Sequence, residues 1–279
     1  GSGHEPAFVG YLGDGMLDSV AIGEVFASPP ALAFYDAIVD ADQGEGVAVL
    51  FGNYAGDNMN VKMAVQMAED DDIEVKYVVA NDDVASAPKA VKEQRHGIAG
   101  GFFMWKVGGA RAAKGGSLDD VIASAQNVVN RTKSICVGLE PCVIPALGHS
   151  NFKIEDGTME FGVGHHGEAG TKVEKLKSAS EMAQEMAETI LNDFDFEEGK
   201  EVAVMLSGLG ATPVMELYVL YDEVEKVLAK AGHKVWKTYI GNYVTSLDMN
   251  GASLTIVDLD DEIKELLSEP AVPIGMKNY

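Results

Sequence analysis

Basic residues are scarce: 21 lysines and arginines stand against 44 aspartates and glutamates in 279 residues, a formal net charge of −23. Nucleic acid phosphates and anionic lipids both need clustered cations, so neither nucleic acid nor a membrane surface is expected as a partner. Cysteine is nearly absent. Cys136 and Cys142 are the two, and so few in a chain this long fit free thiols in a reducing cytoplasm better than a disulfide framework. Apolar runs are short, and even the one around Val202 to Leu206 is too brief to span a bilayer. Nucleotide fingerprints are missing as well. No G-x-x-x-x-G-K-[ST] occurs, and no G-x-G-x-x-G stands between a strand and a helix with an acidic residue at the required distance. The chain is therefore expected to hold no nucleotide of its own. Neither a methionine nor an export signal opens the sequence; Gly1 stands in a glycine-rich stretch that reads as the loop after a strand, so upstream sequence is expected ahead of it.

What is present argues for layered α/β structure. Hydrophobic residues make up 47% of the chain, enough for a full core in one large unit or two smaller ones. "GVAVLF" (46–51) and "IEVKYVVA" (73–80) are β-branched runs flanking a segment of helical period, "VKMAVQMAED", which is a βαβ pattern. "IAGGFFMWKVGGARAAKGG" reads as a helix rich in small residues, with Trp105 and the phenylalanines before it as packing residues. Ser117 with Asp120 signals the start of another helix that ends near Arg131. A second series follows: the strand "SICVGLE", a helix across "SEMAQEMAETILNDF", the strand "EVAVML", the helix "PVMELYVLYDEVEKVLAKAG", and the strands "KVWKTYIG" and "SLTIVDL". Two α/β domains are expected, 1–133 and 134–279, with ligands where strand ends meet loops. The acidic runs Asp70 to Asp72 and Glu197 with Glu198 read as solvated surface.

Three glycine-flanked segments carry reactive side chains: "GSGHEP" with His4, "GNYAGDNMN" with Asp57, and "GVGHHGEAG" with His165 and His166. Glycine lets the backbone turn and expose what it carries, and a neutral imidazole is both nucleophile and proton carrier near neutral pH. A fourth segment, "SGLGATP" (207–213), follows a strand and opens a helix, where its amides suit an anion. Adjacent histidines in an extended segment point to opposite faces, so at most one of His165 and His166 serves a given site, and no metal site is expected. Glu168 either orients His166 or caps the following turn. Asn53 and Tyr54 read as residues that shape their loop, and His96, His149 and His233 have no supporting motif.

Taken together, "GSGHEP", "GNYAGDNMN", "NDDVASAP", "RHGIAGGFF", "MEFGVGHHGEAG", "LGATPVMELY" and "TSLDMNGASLTI" resemble the substrate-binding kinase subunit of dihydroxyacetone kinase, the DhaK family, in order over nearly the whole chain. The resemblance implies two α/β domains with the substrate site between them. It implies that the histidine before G-E-x-G, here His166, attacks the ketone carbonyl of dihydroxyacetone or a similar short ketose and holds it as a hemiaminal. His165 takes a place that is usually apolar. His4 and Asp57 match the family's remaining polar pair, with Asp57 accepting the hydroxyl proton during phosphoryl transfer and His4 assisting; Gly1, Ser2 and Gly3 line the substrate through their loop. The phosphoryl donor, ATP or a recharged ADP with magnesium, belongs to a separate nucleotide-binding subunit, and the usual assembly is a cytoplasmic homodimer. One position departs from the pattern. Gly52 stands where the family commonly has a substrate-contacting lysine, leaving room for a larger ketose such as erythrulose. Some relatives are ketose sensors that act on a transcription factor, and this alternative function differs from catalysis in yielding no sugar phosphate.

Overall fold

The computed structural model describes residues 1–150, 152–195 and 199–276, so Glu197 and Glu198 lie outside the described residues. The chain divides into two compact units, each discontinuous. One comprises Gly1–Asn81, Gly101–Asn130 and Asp260–Tyr279; the other comprises Asp82–Gly100 and Arg131–Leu259. The division expected at 133/134 lies three residues from the crossing between Asn130 and Arg131. The other crossings, after Asn81, Gly100 and Leu259, run inside the alternating pattern without a linker of distinctive composition, so a single cut does not describe the units.

In chain order, the first unit begins with β1 (Gly13–Asp14), α1 (Ala31–Ala41), β2 (Val47–Gly52), α2 (Ala55–Asp70), β3 (Val75–Ala80), α3 (Gly101–Ala113) and α4 (Leu118–Asn130). The second holds β4 (Thr132–Glu140), β5 (Thr158–Phe161), β6 (Lys172–Lys175), α5 (Ala179–Asp193), β7 (Glu201–Gly208), α6 (Val214–Lys230), β8 (Lys234–Gly241) and β9 (Asn250–Asp258). The chain then returns to the first unit with α7 (Asp261–Ser268) and β10 (Val272–Pro273), which pairs with β1.

In the first unit β2 and β3 are parallel, with Val47 opposite Val75 and Gly52 opposite Ala80, joined through α2 as the alternation of strand and helix periods predicts. Phe34 and Ile38 of α1, Val61, Ala64 and Ala68 of α2, and Val47 and Phe51 of β2 form its apolar cluster. The helix α3 is buried nearly all round, and small residues make that possible: a side chain at Gly109 would stand 2.2 Å from the Met16 carbonyl oxygen, and one at Gly108 2.9 Å from Leu50. Ser117 starts α4 as expected. Its hydroxyl accepts from the Asp120 amide at 3.3 Å while the Asp120 carboxylate accepts from the Ser117 amide at 2.9 Å.

The second unit is built on a mixed six-stranded sheet of order β6-β5-β4-β9-β7-β8, in which only β7 and β8 run parallel, connected by α6. Its central strands β4, β7 and β9 are buried along most of their length, which explains their near-continuous apolar sequences. Ile190 and Met186 of α5 and Leu217, Val224 and Leu228 of α6 cover the sheet together with Val204, Leu206, Leu254 and Ile256. Each such fully buried aliphatic side chain contributes roughly 1.5–3 kcal/mol relative to exposure. Both units are thus α/β, as the sequence implies. Among the described residues, no helix is long and apolar enough to cross a membrane, and both cysteines are buried free thiols.

Candidate active site

His4 and Asp57 both belong to the first unit. The opening loop runs against residues 23–27: the Ser2 amide donates to the Glu24 carbonyl at 3.1 Å, the Ser2 hydroxyl to the Gly23 carbonyl at 2.7 Å, and the Phe26 amide to the Ser2 carbonyl at 3.0 Å. A side chain at Gly1 would stand 2.5 Å from the Ala27 carbonyl oxygen, and Gly3 has φ +106°, so both positions need glycine. These contacts tuck His4 under the surface, 4% exposed, with its ring stacked on Phe26 at 5.2 Å and meeting Phe8 edge-on at 6.0 Å. Phe26 itself has φ +56°, a left-handed conformation that costs a bulky residue energy and recurs where a local geometry is over-determined. Two residues on, the Ser28 hydroxyl donates to Asp57 Oδ2 at 2.6 Å. Asp57 lies half-buried in the first turn of α2, and the absence of a side chain at Gly56, where a Cβ would come 2.5 Å from Ser28 Oγ, lets that turn approach. Gly52 ends β2 and accepts from the Tyr54 amide at 2.9 Å, while Asn53 accepts from the Asn58 side chain at 2.8 Å, so this loop is shaped as its sequence suggests.

His166 belongs to the second unit, in the loop between β5 and β6. The histidine pair does not lie in extended backbone. The Gly167 amide donates to the Gly164 carbonyl at 3.1 Å, which makes 164–167 a turn with both histidines at its centre. Gly162 and Gly167 take φ +77° and +78°, conformations that the run of glycines supplies and that a β-strand reading overlooks. The turn nevertheless separates the two rings. His165 is 3% exposed, and its carbonyl accepts from the Ser246 hydroxyl at 2.6 Å; burial holds its imidazole pKa down to about 4. The His166 side chain is 24% exposed.

Glu168 decides the orientation of that ring. Its carboxylate accepts from His166 Nδ1 at 2.8 Å and from the His166 amide at 2.8 Å, so it both orients the imidazole and closes the turn. Burial would raise the pKa of this carboxyl, but the hydrogen bonds and the charge of His166 outweigh that cost and bring it down to about 2. An ionised carboxylate only accepts, so Nδ1 carries the proton and, in the neutral ring, the lone pair is on Nε2. A side chain at Gly164 would come 2.1 Å from Glu168 Oε2, which makes glycine there a condition for this pairing.

Two residues to which the sequence reading gives no role, Asp83 in NDDVASAP and Ser246 in TSLDMNGASLTI, frame this loop. Ser246, fully buried, ties the 241–250 connection to the histidine turn, and Asp83, 2% exposed, sits in a turn packed against Gly162 through Ala85. The anion cradle expected at 207–213 is partly occupied by the protein itself: the Leu209 amide donates to the Gly251 carbonyl and the Ala211 amide to the Met249 carbonyl, each at 3.1 Å. Among the described residues, no cluster of three or more His, Cys, Asp or Glu is arranged to hold a metal ion. His96, His149 and His233 lie outside these arrangements, although the His96 carbonyl accepts from the Asp83 amide at 3.1 Å.

A family profile described as "Dak1 domain" matches residues 1–274. The chain is 42% identical to the PTS-dependent dihydroxyacetone kinase 1, dihydroxyacetone-binding subunit DhaK, of Listeria innocua, over 94% of this chain and 80% of that protein. It is 38% identical to a D-erythrulose kinase of Mycolicibacterium smegmatis, over 97% of this chain and 47% of that protein. Among solved structures it superposes on a dihydroxyacetone kinase operon co-activator, Dha-DhaQ, with a TM-score of 0.93 and 31% identity, covering 98% of this chain and 85% of the other.

Proposed function

The chain belongs to the Dak1 domain family, and from that premise we propose that it phosphorylates dihydroxyacetone or a related short ketose held covalently on His166. The orientation of the imidazole by Glu168 carries this reading. With the proton fixed on Nδ1, the Nε2 lone pair of the neutral ring attacks the carbonyl carbon as the C=O π bond breaks. The Nδ1 proton leaves to the Glu168 carboxylate while the carbonyl oxygen takes up a proton, so a neutral hemiaminal results with no net change in proton number. A short ketose has too few atoms for strong and selective noncovalent binding, and only a carbonyl compound accepts this attack, so a polyol is rejected by its chemistry as well as its shape. Asp57, held by the Ser28 hydroxyl, accepts the proton of the substrate hydroxyl as it attacks phosphorus. His4, fixed by its stack on Phe26, hydrogen-bonds the hemiaminal oxygen or assists that transfer. Gly1, Ser2, Gly3 and Gly52 contribute backbone to the substrate's surroundings. The phosphoryl group comes from ATP or ADP with magnesium carried by a separate nucleotide-binding subunit. The protein acts in the cytoplasm as a homodimer.

Intact-protein mass spectrometry with dihydroxyacetone tests the covalent step. His166→Ala is expected to lose the adduct, whereas Asp57→Asn is expected to keep it and to lose phosphorylation with the nucleotide-binding subunit; an adduct that persists in the first variant removes His166 from this role. Two outcomes select neighbouring readings. Adduct without sugar phosphate identifies a sensor, in line with the co-activator whose structure matches. Faster turnover of erythrulose than of dihydroxyacetone identifies a four-carbon kinase, in line with the relative from Mycolicibacterium smegmatis and with glycine at position 52.

A further inference from the structure

Two segments of the second unit that the chemistry above does not use, 207–213 and 241–250, are built onto each other. The Leu209 amide donates to the Gly251 carbonyl and the Ala211 amide to the Met249 carbonyl, each at 3.1 Å, and the Ser246 amide donates back to the Leu209 carbonyl at 2.8 Å. Between them Leu247 takes φ +54°, a left-handed conformation that costs a bulky residue energy, and a side chain at Gly210 would stand 1.9 Å from the Leu247 carbonyl oxygen. The Met249 amide closes the turn onto the Ser246 carbonyl at 3.0 Å, and Asp248 Oδ1 accepts from the Val143 amide at 2.7 Å. Ser246 is thus held through both its amide and its carbonyl. Its hydroxyl is what this scaffold presents.

That hydroxyl has one proton, and the His165 carbonyl at 2.6 Å takes it; Cys142 Sγ, 4.0 Å away, is the weaker and more distant acceptor. The carbonyl belongs to the peptide unit that joins His165 to His166, and the amide of the same unit donates to Glu168 Oε2 at 2.8 Å. A trans peptide is a rigid plane whose C=O and N–H point in opposite directions, so a bond at each edge fixes its rotation. The plane sets where the Cα–Cβ bond of His166 points, and the Glu168 carboxylate then takes the ring through Nδ1 at 2.8 Å. Bonding at the oxygen also polarises the amide and strengthens its hold on Glu168. Without the Ser246 hydroxyl, one edge of the plane is released.

We propose that Ser246 is a positioning residue for His166: it holds one edge of the 165–166 peptide while Glu168 holds the other, and the paired 207–213 and 241–250 segments keep its hydroxyl in place. The consequence for ketose capture rests on the reading of His166 as nucleophile, but the first test needs no ketose. Amide hydrogen exchange is followed by NMR in the ligand-free full chain. In Ser246→Ala the His166 amide is expected to exchange at least about threefold faster, as the loss of one hydrogen bond allows, while strand amides such as those of Ile135 and Val204 keep their rates. Ser246→Thr, which retains the hydroxyl, is expected to keep the wild-type protection. Gly210→Ala, which displaces Leu247 from the far side, is expected to loosen the same amide. His166 exchange that is unchanged in Ser246→Ala and Gly210→Ala, or a rise shared with the whole sheet, overturns the proposal. With ketose present, Ser246→Ala is expected to need at least about tenfold more dihydroxyacetone for half-maximal adduct, with kcat at saturating ketose close to that of the wild type. An adduct titration unaltered by Ser246→Ala overturns the proposal. A wild type that forms no adduct strikes the covalent reading and leaves the exchange result standing.

Discussion

His165 and His166 are chemically identical and adjacent, yet one is buried and bonded through its carbonyl to Ser246 while the other shows a quarter of its side chain to solvent against Glu168. Environment separates a packed imidazole from a solvent-facing one here. The buried groups around them make a pH test possible. His165 falls from 6.5 to about 4 on folding, so between those values the unfolded chain binds a proton that the folded one does not; stability is complete above pH 6.5 and is lost as pH falls toward 4. Asp83 rises from 3.8 to about 7, so the folded chain binds the extra proton; stability is complete below pH 3.8 and is lost as pH rises through 7. Each slope is about 1.4 kcal/mol per pH unit within its window, with opposite sign, and the two offset between pH 4 and 6.5. Urea unfolding across that interval is expected to show Asp83→Asn gaining stability with pH relative to the wild type, and His165→Asn losing it. Parallel pH profiles for all three proteins would show that neither burial is energetically significant.

At the scale of elements, the 162–170 loop is the informative case. Its histidine, glutamate and glycines are legible as a reactive segment, because glycine runs beside a strand rarely serve a sheet. Its conformation is not legible, because alternation rules assume strand geometry and the glycines at 162 and 167 take it away. Gly164 shows how little room there is. A methyl group there meets the Glu168 carboxylate, so Gly164→Ala is expected to displace that carboxylate from Nδ1 and slow adduct formation roughly tenfold or more, as a misplaced nucleophile does. Adduct accumulation followed by mass spectrometry reads the effect, and an unaltered rate would mean that Glu168 does not orient the ring. The cap at Ser117 illustrates the opposite situation: its reciprocal bonds with Asp120 are local, and local chemistry is what a sequence displays. The helices α1 and α7 carry no such motif in the sequence reading. The cap of α7, Asp260 accepting from the Ile263 amide at 2.8 Å, becomes evident only in the structure.

Over the whole molecule, a net charge of −23 means that the folded chain repels itself. Raising ionic strength from about 0.01 M to about 0.15 M shortens the screening length from roughly 30 Å to about 8 Å, so the thermal midpoint is expected to rise with salt. Scanning calorimetry in an inert salt checks this, and a falling midpoint would mean that ion pairs such as Arg95 with Asp193, 2.7 Å apart, outweigh the net repulsion. The sequence by itself determined the α/β class and the scarcity of cysteine, and it marked His4, Asp57 and His166 as candidate site residues, because periodicity, composition and short glycine-flanked motifs are properties of neighbouring residues. Only the tertiary structure decided that both units are discontinuous, that His4 is buried against Phe26, that Glu168 holds His166, and that Asp83 and Ser246 stand behind the loop. Those facts depend on contacts between residues distant along the chain or on backbone turns, and the burial that shifts Asp83 and His165 exists only once the sheet and its loops have closed over them.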